Sequence, residues 1–223
     1  MSGLAPRLRA WLGEHASGHR ATHARWVLLD AESTGLDPKH DRLLSLAAVA
    51  VHFDAGRPRI VPRDSFEVIL RDEQAPGAPA LDRPNILLHG IGLGARSQGQ
   101  PCAAALPGFA QWAGSAPRVG FHVGFDRQLL AAASRRAGVP VPRAPWLDLA
   151  ALAVAAHPQV RARALDEWLA HFGLVCATRH DAAGDAWSAA ELLLRMWPDL
   201  QRAGVRDFRS AQALSQAGRW TGA

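Results

Sequence analysis

The chain has 223 residues, a length that fits one compact domain with terminal extensions. Its hydrophobic content of 48% is enough for a core and excludes a chain that is too polar to fold. No apolar run reaches the roughly 20 residues of a membrane span, the N-terminus lacks a signal-peptide core, and Cys102 and Cys176 form no disulfide or zinc pattern, so we expect a cytoplasmic protein. The formal net charge of +5 suits a polyanionic ligand, although a genome bias toward arginine explains it equally well, since Lys39 is the only lysine.

The first half of the chain predicts mostly strands. Residues 1–24 form an N-terminal extension with a short helix at 4–12 and a polar linker. The segment 72–101 is rich in glycine, proline and glutamine, and a short helical piece is predicted at Arg83–Leu88. Apolar runs bounded by turn residues predict three strands, at Trp26–Asp30, Leu43–Phe53 and Ser65–Leu70.

The second half predicts helices interleaved with two short strands. Pro107 predicts a kink or a late start in the first of these helices. Strands followed by interleaved helices are typical of the α/β class. The predicted strands are Arg118–Phe121 and Trp146–Leu149, and the predicted helices are Ala103–Trp112, Phe125–Ala137, Ala150–Ala156, Leu165–Phe172, Asp185–Met196 and a less regular one at Phe208–Ala217.

Two carboxylates lie at the end of the first predicted strand. Asp30 and Glu32 are separated by one residue, so on an extended chain their side chains point to the same side. Adjacent like charges repel unless a cation lies between them, and Mg²⁺ or Mn²⁺ suits oxygen ligands. The alternative is a strand end that runs into a solvated turn, where both acids are simply hydrated.

Three further polar residues lie downstream at helix starts. Asp126 follows an aromatic residue at the start of a predicted helix, where it also complements the helix dipole. His180 and Asp185 are five residues apart at the next long helix, so a loop histidine and a first-turn aspartate can face one cavity. Taken alone, the histidine is equally typical of a surface or capping residue.

The ordered set of Asp-x-Glu, a later aspartate and His-x₄-Asp resembles the DnaQ-like 3′–5′ exonuclease family of the DEDDh type over residues 25–197. The segments Ser33–Leu36, His89–Ile91 and Leu165–Leu174 resemble further motifs of that family. The resemblance implies a ribonuclease H-like fold, a mixed five-stranded sheet flanked by helices, with the first acidic pair on the central strand. It also implies an exonuclease domain at 25–197 and a C-terminal tail, partly helical, at 198–223.

The resemblance implies a two-metal phosphodiester hydrolysis that releases nucleoside 5′-monophosphates from the 3′ end of single-stranded DNA or RNA. Asp30 would bridge two Mg²⁺ or Mn²⁺ ions, Glu32 and Asp185 would complete one site, and Asp126 would hold or orient the second. His180 would be the general base, with metal ligation as its alternative role.

Substrate contacts follow from the same resemblance. Thr34, Gly35 and Leu36 would hold the 3′-terminal nucleotide, and His89 would close over it. The alternatives are a core contact for Leu36 and an ordinary loop histidine at His89.

Three departures from the family pattern concern substrate preference rather than the metal ligands. Ser33 replaces a threonine, Gly92-Leu93-Gly94 stands where a threonine is common, and Phe121-His122 stands where many relatives have His-Asn. A polymerase subunit is a further candidate partner, and a membrane is not expected. The competing hypothesis is a non-catalytic module that binds nucleic acid or a polymerase on the same fold.

Overall fold

The computed structural model describes residues 25–72, 89–140, 143–176 and 178–221. The predicted helices at 4–12 and 83–88 lie outside these residues, as does the N-terminal extension. Among the helices of the described ranges, none is both long enough and apolar enough to cross a membrane.

A mixed five-stranded sheet forms the centre of the fold, in the order β3-β2-β1-β4-β5. The central strand β1 pairs antiparallel with β2 and parallel with β4. This arrangement confirms the predicted α/β architecture and the central position of the first acidic pair. The strands are β1 (Arg25–Ser33), β2 (Leu43–Asp54), β3 (Arg57–Ile69), β4 (Arg118–Gly120) and β5 (Trp146–Asp148).

Helices cover both faces of the sheet. The short helix α1 was not predicted, because Gly92-Leu93-Gly94 reads as a loop. In the described part of the chain the helices are α1 (Leu93–Gln98), α2 (Cys102–Ala113), α3 (Gly124–Ala137), α4 (Leu149–Ala156), α5 (Leu165–His171), α6 (Ala182–Arg202) and α7 (Phe208–Thr221).

Strand β1 divides the apolar interior into two clusters because its side chains alternate between faces. Trp26 and Leu28 pack into one cluster with α4, α6 and α7. Val27 and Leu29 pack into the other with α2 and α3. Asp30 and Glu32 continue the Trp26–Leu28 series, so they reach the face on which α6 lies.

Strand β1 is longer than predicted and includes both acids. Asp30 pairs with Ala47 and Glu32 with Ser45, so the ladder with β2 extends the strand beyond its apolar run. The prediction that β3 begins at Ser65 was also wrong, since β3 pairs with β2 from Arg57 onward. A register shift between Val49 and Ala50 interrupts that ladder and the alternation that sequence patterns detect.

Helix α6 continues six residues past Met196, where the prediction ended it, and passes through Pro198. Proline lacks the N–H that would bond to the preceding turn. Trp197 and Leu200 are nevertheless buried in the core, which stabilises the continued helix. Phe208 of α7 is buried in the same cluster. The predicted bounds of the exonuclease domain, residues 25 and 197, stay predictions.

Candidate metal and active site

Three carboxylates meet where the end of β1 faces the start of α6. Asp30, Glu32 and Asp185 each offer an oxygen, and these oxygens all lie within 4.8 Å of one another. The first two come from alternate positions of one strand and the third from the first turn of the helix packed on that face. This group is therefore compatible with a shared cation.

The start of α6 is built so that Asp185 turns toward β1. Asp181 caps the helix by accepting the Gly184 N–H at 3.0 Å. A Cβ on Gly184 would lie 2.2 Å from the Thr178 carbonyl oxygen, so only glycine lets the preceding loop approach the helix this closely. Loop and helix together therefore place Asp185 opposite the strand carboxylates.

Asp126 lies beside the group of three rather than within it. It is buried in the first turn of α3. Its carboxylate accepts hydrogen bonds from its own N–H and from the N–H of Ala31, the residue between the two strand acids. Asp126 is thus tied to β1, close enough for its charge to raise the pKa of Asp30.

Burial and mutual repulsion raise the pKa values of these acids. The pKa of Asp30 lies well above its usual value, first because of burial and then because of Asp126, Asp185 and Glu32. Burial, followed by neighbouring carboxylates, raises the pKa of Glu32 to about 7, and burial raises the pKa of Asp126 to about 7. Carboxyls with such pKa values retain protons near neutrality unless a cation replaces them.

Arg179 is a cation in this cluster that sequence reasoning missed. Its guanidinium contacts Asp185 Oδ1 through NH1 and Asp166 Oδ1 through Nε. Its charge lowers the pKa values of Asp30 and Glu32, although burial outweighs it. The only signal in the sequence is its position next to His180.

His180 is exposed at the edge of the carboxylate group. Its backbone has a φ of 58°, and its N–H donates to Asp185 Oδ2 at 3.2 Å. The main chain of His180 is therefore attached to a carboxylate of the group, while the imidazole remains open to solvent.

The segment predicted to hold a terminal nucleotide is ordered by Asp41. Thr34 Oγ1 donates to Asp41 Oδ1 at 2.7 Å and accepts the Arg42 N–H at 2.9 Å. A Cβ on Gly35 would lie 2.6 Å from Asp41 Oδ2, so glycine permits this approach. Leu36 is 92% exposed, which excludes the core contact that was its alternative interpretation.

His89 is buried. Its Nδ1 accepts the Ile91 N–H at 3.0 Å, and its Nε2 lies 3.2 Å from an Arg96 nitrogen. Burial, followed by the charge of Arg96, lowers the pKa of His89. Closing over a nucleotide would therefore require this imidazole to leave two internal contacts.

A further carboxylate near the site, Asp148, was not predicted. It caps α4 by accepting the Ala150 N–H at 3.0 Å, and it also accepts the His122 N–H at 3.1 Å. Its charge contributes to the raised pKa of Asp126. The imidazole of His122 lies 3.0 Å from the Arg163 carbonyl oxygen.

Curated relatives match most of this chain. A DNA polymerase III of the PolC type from Latilactobacillus sakei is 27% identical over 173 residues, which cover 78% of this chain and 11% of the relative. The corresponding protein of Listeria monocytogenes is 25% identical over 188 residues, which cover 84% of this chain and 12% of the relative. The chain thus spans about a ninth of the length of these relatives.

Solved structures share the fold at low identity. Exonuclease I of E. coli in complex with a dT13 oligonucleotide has a TM-score of 0.67 and 17% identity, over 81% of this chain and 42% of that one. Cell-death related nuclease 4 has a TM-score of 0.67 and 16% identity, over 83% of this chain and 66% of that one.

The family comparison covers the complete candidate site. The exonuclease family model RNase_T matches residues 27–193, three quarters of the chain. That range contains both strand acids, Asp126, His180 and Asp185, and the match confirms the resemblance identified from the sequence. The chain therefore belongs to the RNase_T exonuclease family.

Proposed function

We propose that this protein is a metal-dependent 3′–5′ exonuclease. The observation that carries the proposal is the meeting of Asp30, Glu32 and Asp185 within 4.8 Å, in a chain of the exonuclease family. Carboxylates clustered in this way would repel a nucleic-acid phosphate unless cations lie between them. The arrangement therefore favours hydrolysis assisted by metal ions.

The donor set fits Mg²⁺ or Mn²⁺. These ions prefer oxygen ligands, and the charges of Asp30 and Glu32 are only partly compensated by Arg179, because burial and neighbouring carboxylates outweigh it. Asp30, Glu32 and Asp185 would hold one ion, and Asp30 with Asp126 would hold or orient a second. Such a pair of ions supplies an activated nucleophile, neutralisation of phosphate charge and stabilisation of the leaving oxygen.

The remaining work falls to side chains around the carboxylates. His180 would take the proton from the attacking water, since its exposed imidazole can accept a proton on a ring nitrogen and release it to solvent. Its N–H bond to Asp185 would keep it beside the reacting phosphate. The assignment of the base rests on the family resemblance and on this placement.

The substrate would be the 3′ end of single-stranded DNA or RNA. The exposed side chain of Leu36 follows the acidic strand and is suited to stacking against a terminal base. Thr34 and Gly35 would position the terminal sugar, and His89 would act through the loop it orders. Exonuclease I, which shares the fold, is known in complex with a dT13 oligonucleotide.

The competing function is a non-catalytic module that binds nucleic acid or a polymerase subunit. The similarity to PolC-type DNA polymerases is the observation that favours this alternative. The retained acids argue against it, because a binding module gains nothing from carboxylates next to a phosphate. Association with a polymerase and a cytoplasmic location stay predictions.

The test uses single-stranded DNA and RNA labelled at either end, with Mg²⁺, with Mn²⁺ and with chelator. A 5′ label is expected to yield a ladder of shortened strands, and a 3′ label to appear at once as a mononucleotide, both only with metal. Release of a 5′-labelled mononucleotide would instead indicate degradation in the 5′–3′ direction and contradict the proposed polarity. Inert protein under all conditions would favour the binding module.

A further inference from the structure

Away from the acidic group, three arginines line a cavity between the start of β2, the start of α2 and the C-terminal end of α3. The cavity has a volume of about 150 Å³, and its lining includes Arg42, Arg71 and Arg136. Among the residues that the structure describes, the rest of the lining is apolar, comes from Leu43, two α2 residues and two α3 residues, and includes no acidic side chain. Because one water occupies about 30 Å³, this volume holds about five waters, which is enough space for the five heavy atoms of a phosphate group.

The cavity adjoins the segment proposed to hold the terminal nucleotide. The Thr34 N–H donates to the Arg42 carbonyl at 3.0 Å, and the Arg42 N–H donates back to Thr34 Oγ1 at 2.9 Å. In the same ladder Ser33 pairs with Leu43, which lines the cavity. A strand bound at Thr34 would therefore have the arginines within reach of a neighbouring phosphate.

Two of the three guanidinium groups are held in place by the fold. Arg42 Nε donates to Asp72 Oδ1 at 2.5 Å, and its NH2 donates to Oδ2 at 3.3 Å. Arg136 NH2 donates to the carbonyls of Lys39 at 3.1 Å and Asp41 at 2.7 Å. These contacts orient both side chains before any ligand arrives, which lowers the entropy lost on binding.

Charge in the cavity is only partly compensated. Among the described residues, the carboxylate that contacts these arginines is that of Asp72, which binds Arg42 and also lies 3.9 Å from Arg96, so positive charge is in excess here. Arg136 bonds to neutral carbonyls, and Arg71 is exposed. A guanidinium group binds phosphate oxygens with two parallel hydrogen bonds, so this excess fits an anion of that geometry.

We infer that the arginine cavity binds a phosphodiester of the single strand, next to the nucleotide held at Thr34, while the apolar floor receives the attached sugar or base. The identity of the anion rests on the proposed function. A free nucleoside monophosphate shares the same chemistry, so the experiment separates the two sources.

The test compares Arg71→Gln with Arg59→Gln. Arg71 lines the cavity, whereas Arg59 is exposed on β3 and pairs with His52 at the opposite end of the β2–β3 ladder. Binding of 5′-labelled oligo(dT) is measured by fluorescence anisotropy over a range of salt concentrations, with chelator present so that no hydrolysis occurs. A second titration measures the direct binding of thymidine 5′-monophosphate by isothermal titration calorimetry.

We expect Arg71→Gln to weaken oligonucleotide binding roughly three- to tenfold at low salt and to reduce the slope of log affinity against log salt by about 0.7, the value for one phosphate on a single strand. Arg59→Gln is expected to bind as the wild type does. Equal effects of the two substitutions would overturn the inference, because a general loss of positive charge would then explain them.

Two other results would also overturn it. Unchanged oligonucleotide binding with weaker direct binding of the monophosphate would assign the cavity to a free nucleotide. Unchanged values for both ligands would remove the site. Because these measurements are made with chelator, a protein that never hydrolyses nucleic acid refutes the nuclease without refuting the cavity.

Discussion

The guanidinium of Arg179 contacts Oδ1 of Asp185, one of the three carboxylates that lie within 4.8 Å of one another. The other oxygen, Oδ2, accepts the His180 N–H at 3.2 Å. Both oxygens of this carboxylate therefore have partners within the chain. Arg179 supplies a counter-charge, and a metal ion that binds Asp185 must compete with it.

Arg179→Gln is expected to increase the affinity for Mn²⁺ several-fold, because it removes the competing positive charge. The same substitution should lower the melting temperature of the metal-free protein at pH 8, where the acids lose their counter-ion. Isothermal titration calorimetry and thermal unfolding with chelator measure the two effects. Arg195→Gln, an exposed position on α6, the helix that follows the Arg179 loop, is the control.

Weaker Mn²⁺ binding in Arg179→Gln would contradict this competition. It would indicate instead that the contacts of Arg179 with Asp166 and Asp185 hold the carboxylates in their binding arrangement.

Asp30→Asn is expected to reduce metal-dependent hydrolysis by more than about a hundredfold, because Asp30 is the proposed shared ligand of both ions. The metal-free protein should melt at the same or a higher temperature, since the change removes a carboxylate whose charge is disfavoured by burial. Initial rates and thermal unfolding test both statements. Asp54→Asn, exposed at the far end of β2, serves as the control. Full activity in Asp30→Asn would exclude the metal assignment.

His180→Ala is expected to lower the hydrolysis rate by about 10²- to 10⁴-fold with unchanged Mn²⁺ affinity, as for the loss of a general base. His122→Ala is a matched comparison, because His122 is also exposed and has a φ of 56° against 58° for His180. That variant should retain most of the activity. Loss of Mn²⁺ affinity in His180→Ala would assign the imidazole as a ligand instead.

The acidic pair was predictable from the sequence because it depends on a local rule. A spacing of two on an extended chain places Asp30 and Glu32 on one side, whatever the rest of the fold does. Family resemblance then supplied Asp126 and Asp185, which spacing alone cannot bring together. The apolar runs also located the five strands, since burial imposes those patterns.

Features that depend on contacts between distant segments were not predictable. The extension of β1 to Ser33 depends on its pairing with β2, and the continuation of α6 through Pro198 depends on burial of Trp197 and Leu200. The contact of Arg179 with Asp166 joins the loop before α6 to the first turn of α5 and has no periodic signature. The interior position of His89 likewise depends on Arg96, seven residues away.

The raised pKa values of Glu32 and Asp126, both about 7, predict a pH dependence for the metal-free protein. The folded state binds these protons more tightly than the unfolded chain, so their contribution to stability is complete below about pH 4 and is lost as the pH rises through 7. At about 1.4 kcal/mol per pKa unit, the raised pKa of Glu32 contributes at most about 3.5 kcal/mol to the free energy of unfolding, and less because water screens a partly exposed side chain.

Two buried histidines act in the opposite sense at lower pH. Burial lowers the pKa values of His89 and His157, so their protonation destabilises the folded state below about pH 6.5. The carboxyl effect is therefore measured between pH 6.5 and about 8, by chemical denaturation with chelator. Stability should fall across that range in the wild type, fall less in Glu32→Gln, and recover on addition of Mn²⁺ at pH 8. An equal fall in both proteins would show that Glu32 is not the titrating group, because its amide replacement has no proton to lose.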